Sequence, residues 1–223
     1  MKLMIDSADV ESIRRSHETF PLSGVTTNPS LLAKAGRPPY EVLRAIRSLI
    51  GTEELHVQVV GTDAAVMLQE AACICAALGS ETYVKVPVTP EGLKAIKEMK
   101  QAGYRVTATC IYTQLQGYLA GQAGADYAAP YVNRIDNLGG DGALTAIGLQ
   151  DLYRANGLPT QVLAASFKNC RQLLQIAARG VGAATLPAEI LDQALHLDAV
   201  SAAVDAFRQD FEKLAGSGAT MLF

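Results

Sequence analysis

Tyr83-Val84-Lys85-Val86-Pro87-Val88-Thr89 is a short β-branched apolar run with one lysine in the middle, and Pro90-Glu91 follows as a helix start with proline at its first position. Alternation puts Tyr83, Lys85 and Pro87 on one face of the strand and the three valines on the other. An ammonium in such a run is costly to bury unless it is paired or gives up its proton. A lysine that gives it up becomes an amine nucleophile for carbonyl compounds. Taken alone, the run favours a strand-end lysine reaching solvent. The rest of the chain reverses that reading.

The same strand-then-helix unit recurs along the whole chain. Further strands are expected at Leu3-Met4-Ile5, 23–27, 55–60, 105–111, 125–131, 161–166 and 182–186. Between them, helices are expected from about Asp9 (capped by Ser7), from Pro38, over 63–79, from Pro90 to Gly103, over 113–122, 142–156 and 169–179, and briefly after Pro187. Residues 132–141 read as a polar loop, with Gly139-Gly140-Asp141-Gly142 as a flexible connection. Unbroken alternation implies α/β architecture with a parallel sheet. Eight units with short connections favour a single closed (β/α)8 barrel of TIM type over an open doubly wound sheet. No Gly-x-Gly-x-x-Gly follows the first strand, which also counts against a dinucleotide fold. Residues 1–196 therefore form the barrel domain. In 197–223, Val200, Val204, Phe207, Phe211 and Leu214 recur at helical spacing among charged residues, an extra amphipathic helix suited to oligomer contacts.

Composition narrows the function. A formal net charge of −3 gives no electrostatic footprint for nucleic acid or an acidic membrane surface. No apolar run approaches a membrane span, and Asp6 comes too early for a secretory signal, so a cytoplasmic location is expected. The cysteines at 73, 75, 110 and 170 form no disulfide or zinc pattern, and His17, His56 and His196 lack ligand spacing. Reduced structural thiols and no metal or other cofactor are expected.

Barrel chemistry sits at the C-terminal strand ends. Those ends deliver Asp6, Thr26 with Asn28, Gln58, Lys85, Thr109, Tyr131 with Arg134, and Ser166. Each is weak evidence alone; together they form one rim around one lysine. Lys85, among valines, is expected to have a lowered pKa and to form a Schiff base with a ketone. Asp6, Tyr131 and a water held by Thr109 and Gln58 are suited to the proton transfers. Asn28 can hydrogen-bond a substrate hydroxyl. Arg134 offers a charged fork to phosphate, or else a surface ion pair to Asp136, and Ser166 adds a hydroxyl donor.

Gly24-Val25-Thr26-Thr27-Asn28-Pro29-Ser30, Val84-Lys85-Val86-Pro87, Ala129-Pro130-Tyr131-Val132-Asn133-Arg134 and Leu163-Ala164-Ala165-Ser166-Phe167-Lys168 resemble the signatures of the transaldolase family, and most closely its short fructose-6-phosphate aldolase branch. The resemblance runs from Asp6 to about Pro187. It implies a class I aldolase barrel with Lys85 as the Schiff-base lysine. The resemblance matches Asp6 and Asn28 to the family's strand-one aspartate and strand-two asparagine, and Arg134 and Ser166 to its phosphate-binding pair; Tyr131, Thr109 and Gln58 are the further expected catalytic residues, and Thr26, Ala165 and Thr107 the further expected substrate-binding ones. Sugar phosphates and dihydroxyacetone-type ketones are the implied substrates, and a decamer of two five-membered rings is the implied assembly.

Transaldolases typically carry a glutamate on strand three and a phenylalanine at the end of strand six, where this chain has Gln58 and Tyr131. A phenol near the enamine lets the dihydroxyacetone unit be protonated and released to water. Both positions point to cleavage of fructose 6-phosphate into dihydroxyacetone and glyceraldehyde 3-phosphate, with transfer to erythrose 4-phosphate as the competing reading. A non-catalytic barrel that senses a sugar phosphate is a remoter alternative. One departure is Thr107-Ala108-Thr109-Cys110, against a Leu-Gly-Thr-Ala pattern in the aldolases, so Thr107 is expected to alter the pocket.

Overall fold

A computed structural model describes residues 1–222, and in it eight parallel strands close into one barrel. In chain order they are β1 (Lys2–Asp6), β2 (Gly24–Thr26), β3 (Glu54–Gln58), β4 (Tyr83–Pro87), β5 (Arg105–Ile111), β6 (Tyr127–Pro130), β7 (Gln161–Ala164) and β8 (Ala183–Leu186). Closure runs from Lys2↔Ala183 to Ile5↔Leu186 between β1 and β8. Each strand end feeds a helix that packs back on the barrel: α1 (Val10–Thr19), α2 (Pro29–Ala35), α3 (Pro39–Ile50), α4 (Ala64–Leu78), α5 (Pro90–Gln101), α6 (Gln114–Gln122), α7 (Val132–Asn137), α8 (Gly142–Ala155), α9 (Cys170–Ala177) and α10 (Ala188–Leu195). The expected single (β/α)8 barrel is the fold.

Local corrections have local causes. Asp9, not Ser7, caps α1 by accepting from the Glu11 and Ser12 amides, while Ser7 Oγ accepts from Asp9 N. A helix that the expected elements did not include follows Asn28: Pro29 sits at the first position of α2, and Asn28 Oδ1 accepts from Leu31 N at 3.0 Å. The polar 132–141 stretch contains α7, and Asp141 caps α8, so the glycine cluster is a short built connection. At Gly142 a Cβ would stand 2.1 Å from the Val132 carbonyl oxygen, which fixes that residue's type. Helix α11 (Asp198–Ala215) follows the barrel with no buried residue, and Val200, Val204, Phe207 and Leu214 are exposed along it. Phe223, the end of the expected tail, lies outside the described residues.

Two apolar cores result. The larger fills the space between strands and helices and takes Val84, Val86, Val106 and Ala108, the outward residues of β4 and β5. The smaller lies inside the barrel and contains Met4, Tyr127, Leu163 and Ala183, with Tyr83 against it. Register and alternation stack the inward side chains in layers of four drawn from alternate strands. Met4, His56, Thr107 and Leu163 form one layer. Thr26, Lys85, Ala129 and Thr185 lie above it, and Asp6, Gln58, Thr109 and Ala165 form the mouth.

The closed end of the barrel is sealed by a polar plug. Glu54 takes hydrogen bonds from Lys2 and from His56 Nε2, and Lys2 Nζ reaches Tyr127 OH at 3.1 Å. His56 is fully buried, stacked on Tyr83 at 4.5 Å, and its Nδ1 lies 2.8 Å from Thr107 Oγ1. Burial pushes the Glu54 carboxyl up, but the bonds from His56 and Lys2 outweigh it and hold the group at about 2. A carboxyl whose pKa falls on folding stabilises the protein above its ordinary value of 4.5 and loses that contribution as pH drops toward 2. Glu54→Gln is therefore expected to cost on the order of 2 kcal/mol at pH 7. In urea unfolding the gap to wild type should close between about pH 4.5 and pH 2. A gap constant across that range would contradict this origin.

Candidate active site

Lys85 is the one ammonium in the layer just below the mouth, and it is 6% exposed. The sequence places it there because Val84 and Val86 must face the helices, which turns residue 85 inward. Its Nζ donates to the Thr27 backbone oxygen at 2.7 Å. Burial pushes the amine down from its ordinary range, with Asp6 and Cys110 partly opposing. A single neutral acceptor does not compensate a buried ammonium, so the site favours the free amine.

Asp6, at the end of β1, accepts from Thr26 Oγ1 at 2.6 Å, and that hydroxyl lies 2.8 Å from Thr185 Oγ1. The carboxylate is thereby fixed at the mouth, where its charge favours the Lys85 ammonium against burial. Asn28 spends its side-chain oxygen on the α2 cap, so the group it has left for a ligand is its amide NH₂. Gln58 ends β3 in register with Lys85 and lines a cavity of about 550 Å³ with Pro29, Met67, Pro87 and Thr89.

Tyr131 closes the opposite side of the mouth. Its hydroxyl lies 2.9 Å from Thr109 Oγ1 and 3.5 Å from Cys110 Sγ. Burial pushes the phenol well above its ordinary value, with the Thr109 bond opposing, so it stays protonated through the neutral range. Cys110 adopts φ 60°, and the β5–β6 register shifts between Ala108 and Ile111; that irregularity brings its thiol to the phenol.

Arg134 is held by long-range backbone bonds. The first amides of α7, Val132 N and Asn133 N, donate to Ala165 O at 2.9 Å and Ser166 O at 2.8 Å, and Ser166 takes φ 63° to present its carbonyl. The guanidinium then lies 4.7 Å above the Tyr131 ring, a stacking worth about 0.5–1 kcal/mol at exposed sites. Its Nη1 donates to Tyr112 OH at 3.4 Å. The ion pair with Asp136 does not form, because Asp136 accepts from Gly142 N at 2.7 Å and Gln172 Nε2 at 2.6 Å. Among the described residues no carboxylate pairs with Arg134.

The rim expected from sequence thus collects at one mouth: Asp6, Thr26, Asn28, Gln58, Lys85, Thr109, Tyr131, Arg134, Ala165 and Ser166. Thr107 sits in the layer beneath Lys85, two below the mouth layer, fully buried on His56, with no surface open to the mouth. Three residues escaped the sequence reading. Thr27 acts through its carbonyl, which no side-chain pattern reveals. Cys110 is placed by backbone geometry that only glycine or asparagine would have advertised. Tyr112 stood one residue beyond the strand and gave only its aromaticity as a signal. Chemically, the mouth offers a desolvated amine, a protonated phenol, a carboxylate and a cationic fork with no carboxylate partner among the described residues.

A family model described as Transaldolase/Fructose-6-phosphate aldolase matches residues 3–221. A protein of Streptococcus pneumoniae (strain ATCC 700669 / Spain 23F-1) described as probable fructose-6-phosphate aldolase is 40% identical over 213 residues, covering 95% of this chain and 96% of that one. One solved structure is similar in fold alone, with a TM-score of 0.59 at 15% identity over 84% of this chain and 63% of that one. It is a cube-shaped, highly porous protein cage designed by fusing symmetric oligomeric domains.

Proposed function

We propose that this chain, which belongs to the transaldolase/fructose-6-phosphate aldolase family, is a class I aldolase that interconverts fructose 6-phosphate with dihydroxyacetone and glyceraldehyde 3-phosphate. The observation that carries the reading is a buried, deprotonation-prone Lys85 and a protonated Tyr131 at the same end of one barrel.

Lys85 Nζ adds to the ketone C2, and loss of water from the carbinolamine leaves a protonated imine. A base takes the proton of the C4 hydroxyl, the C3–C4 bond breaks, and its electron pair flows into the iminium. Glyceraldehyde 3-phosphate leaves and an enamine remains. Proton delivery to C3, through Tyr131 and a water held by Thr109 and Gln58, restores the iminium, which water hydrolyses to dihydroxyacetone and free Lys85. Asp6 shuttles protons in carbinolamine formation and breakdown. Asn28 and Thr26 hold substrate hydroxyls, and Arg134 with the Ala165-Ser166 turn holds the phosphate. Transaldolases belong to the same family, and a phenol able to protonate the enamine is what favours release over transfer. The exposed apolar side of α11 supports a homo-oligomer, for which a decamer is the proposed form.

Borohydride reduction with dihydroxyacetone present should leave a stable adduct on Lys85 in peptide mass spectra. An unmodified Lys85, or an adduct on another lysine, removes the Schiff-base assignment. Arg134→Ala should raise KM for glyceraldehyde 3-phosphate about 10- to 100-fold, and far less for unphosphorylated glyceraldehyde. Equal changes would show that the fork does not serve phosphate.

A further inference from the structure

We propose that Tyr112 is a positioning residue that presets Arg134 for a substrate phosphate; the proposal rests on the aldolase reading and assigns a role to a residue outside it. Tyr112 directly follows β5. Its own amide is fixed, donating to Gln116 Oε1 at 2.9 Å, and the same oxygen takes the Thr113 amide at the start of α6. The ring therefore projects from a rigid point. Its ring and that of Tyr131 meet edge to face, centroids 5.7 Å apart with planes at 76°, and its hydroxyl accepts from Arg134 Nη1 at 3.4 Å.

Arg134 is thus held on two sides. One face lies on Tyr131 and one edge is tied to Tyr112, which leaves its remaining N–H groups without a partner among the described residues. A cavity of about 440 Å³ opens beside it, lined by Tyr112, Arg134, Asn137 and Leu138. In that space an untied arginine has other rotamers to visit, and each lowers the population whose fork faces the mouth. A planar bidentate donor is sensitive to such misalignment. Tyr112 therefore acts on phosphate affinity through Arg134, without touching the reacting carbons.

The test compares glyceraldehyde 3-phosphate with unphosphorylated glyceraldehyde as acceptors for dihydroxyacetone, in wild type, Tyr112→Phe, Arg134→Ala and the double variant. Phenylalanine keeps the edge contact with Tyr131 and removes only the acceptor oxygen. Tyr112→Phe should raise the KM ratio of phosphorylated to unphosphorylated acceptor roughly fivefold, and in the Arg134→Ala background it should add nothing to that ratio. An equal rise for both acceptors, the same ratio change without Arg134, or an unchanged ratio each overturns the proposal. Calorimetry with inorganic phosphate reads the subsite without turnover. The Kd should rise roughly fivefold in Tyr112→Phe, and an unchanged Kd overturns the proposal even if neither acceptor reacts, an outcome that would count separately against the aldolase reading.

Discussion

Lys85→Met should lower fructose 6-phosphate cleavage by at least about 10⁴-fold while leaving the protein folded. Methionine has nearly the length of lysine and no charge, so it fits the layer below the mouth without the desolvation cost that depresses the lysine. The same change separates function from stability. A lysine whose pKa falls on folding binds fewer protons than the unfolded chain, so wild-type stability rises with pH toward the ordinary value of 10.5. Lys85→Met removes that dependence. Its stability advantage over wild type is expected to be largest at low pH and to shrink as pH rises, in unfolding followed at several pH values. Retained cleavage in a folded Lys85→Met protein would transfer the nucleophile's role elsewhere.

The second large effect belongs to one oxygen atom. Tyr131→Phe keeps the ring under Arg134 and beside Tyr112, so phosphate recognition should persist. It removes the hydroxyl that lies 2.9 Å from Thr109 Oγ1. Free dihydroxyacetone release should fall about 10²- to 10³-fold, the scale of a lost general acid–base group. Transfer of the three-carbon unit to an added aldose phosphate needs no proton at C3 and should fall much less. The enzyme would then behave more like a transaldolase. Equal losses in release and transfer would mean that the phenol serves the fold or an earlier step.

Much of the architecture was legible because strand period and helix starts are local. The β4 run with Thr89-Pro90, and the 105–111 strand, read correctly from a handful of residues. The short helices α2 and α7 did not, since each has seven residues or fewer and gives too few turns for periodicity to register. Helix α7 is started by carbonyls of Ala165 and Ser166, more than thirty positions away in the chain (132 to 165). The site was legible as residue types at strand ends. Its electrostatic wiring was not: whether Arg134 faced Asp136 or the mouth depended on Gln172 and the Gly142 amide claiming Asp136. Thr107 shows the same limit from the other side, because the partner that buries it, His56, lies on a different strand.

Release without an acceptor is read most directly by incubating the protein with fructose 6-phosphate alone while glyceraldehyde 3-phosphate is followed. Steady multiple turnover is the predicted result. A burst of about one equivalent per Lys85, with turnover only after erythrose 4-phosphate is added, would contradict it and make transfer the reaction.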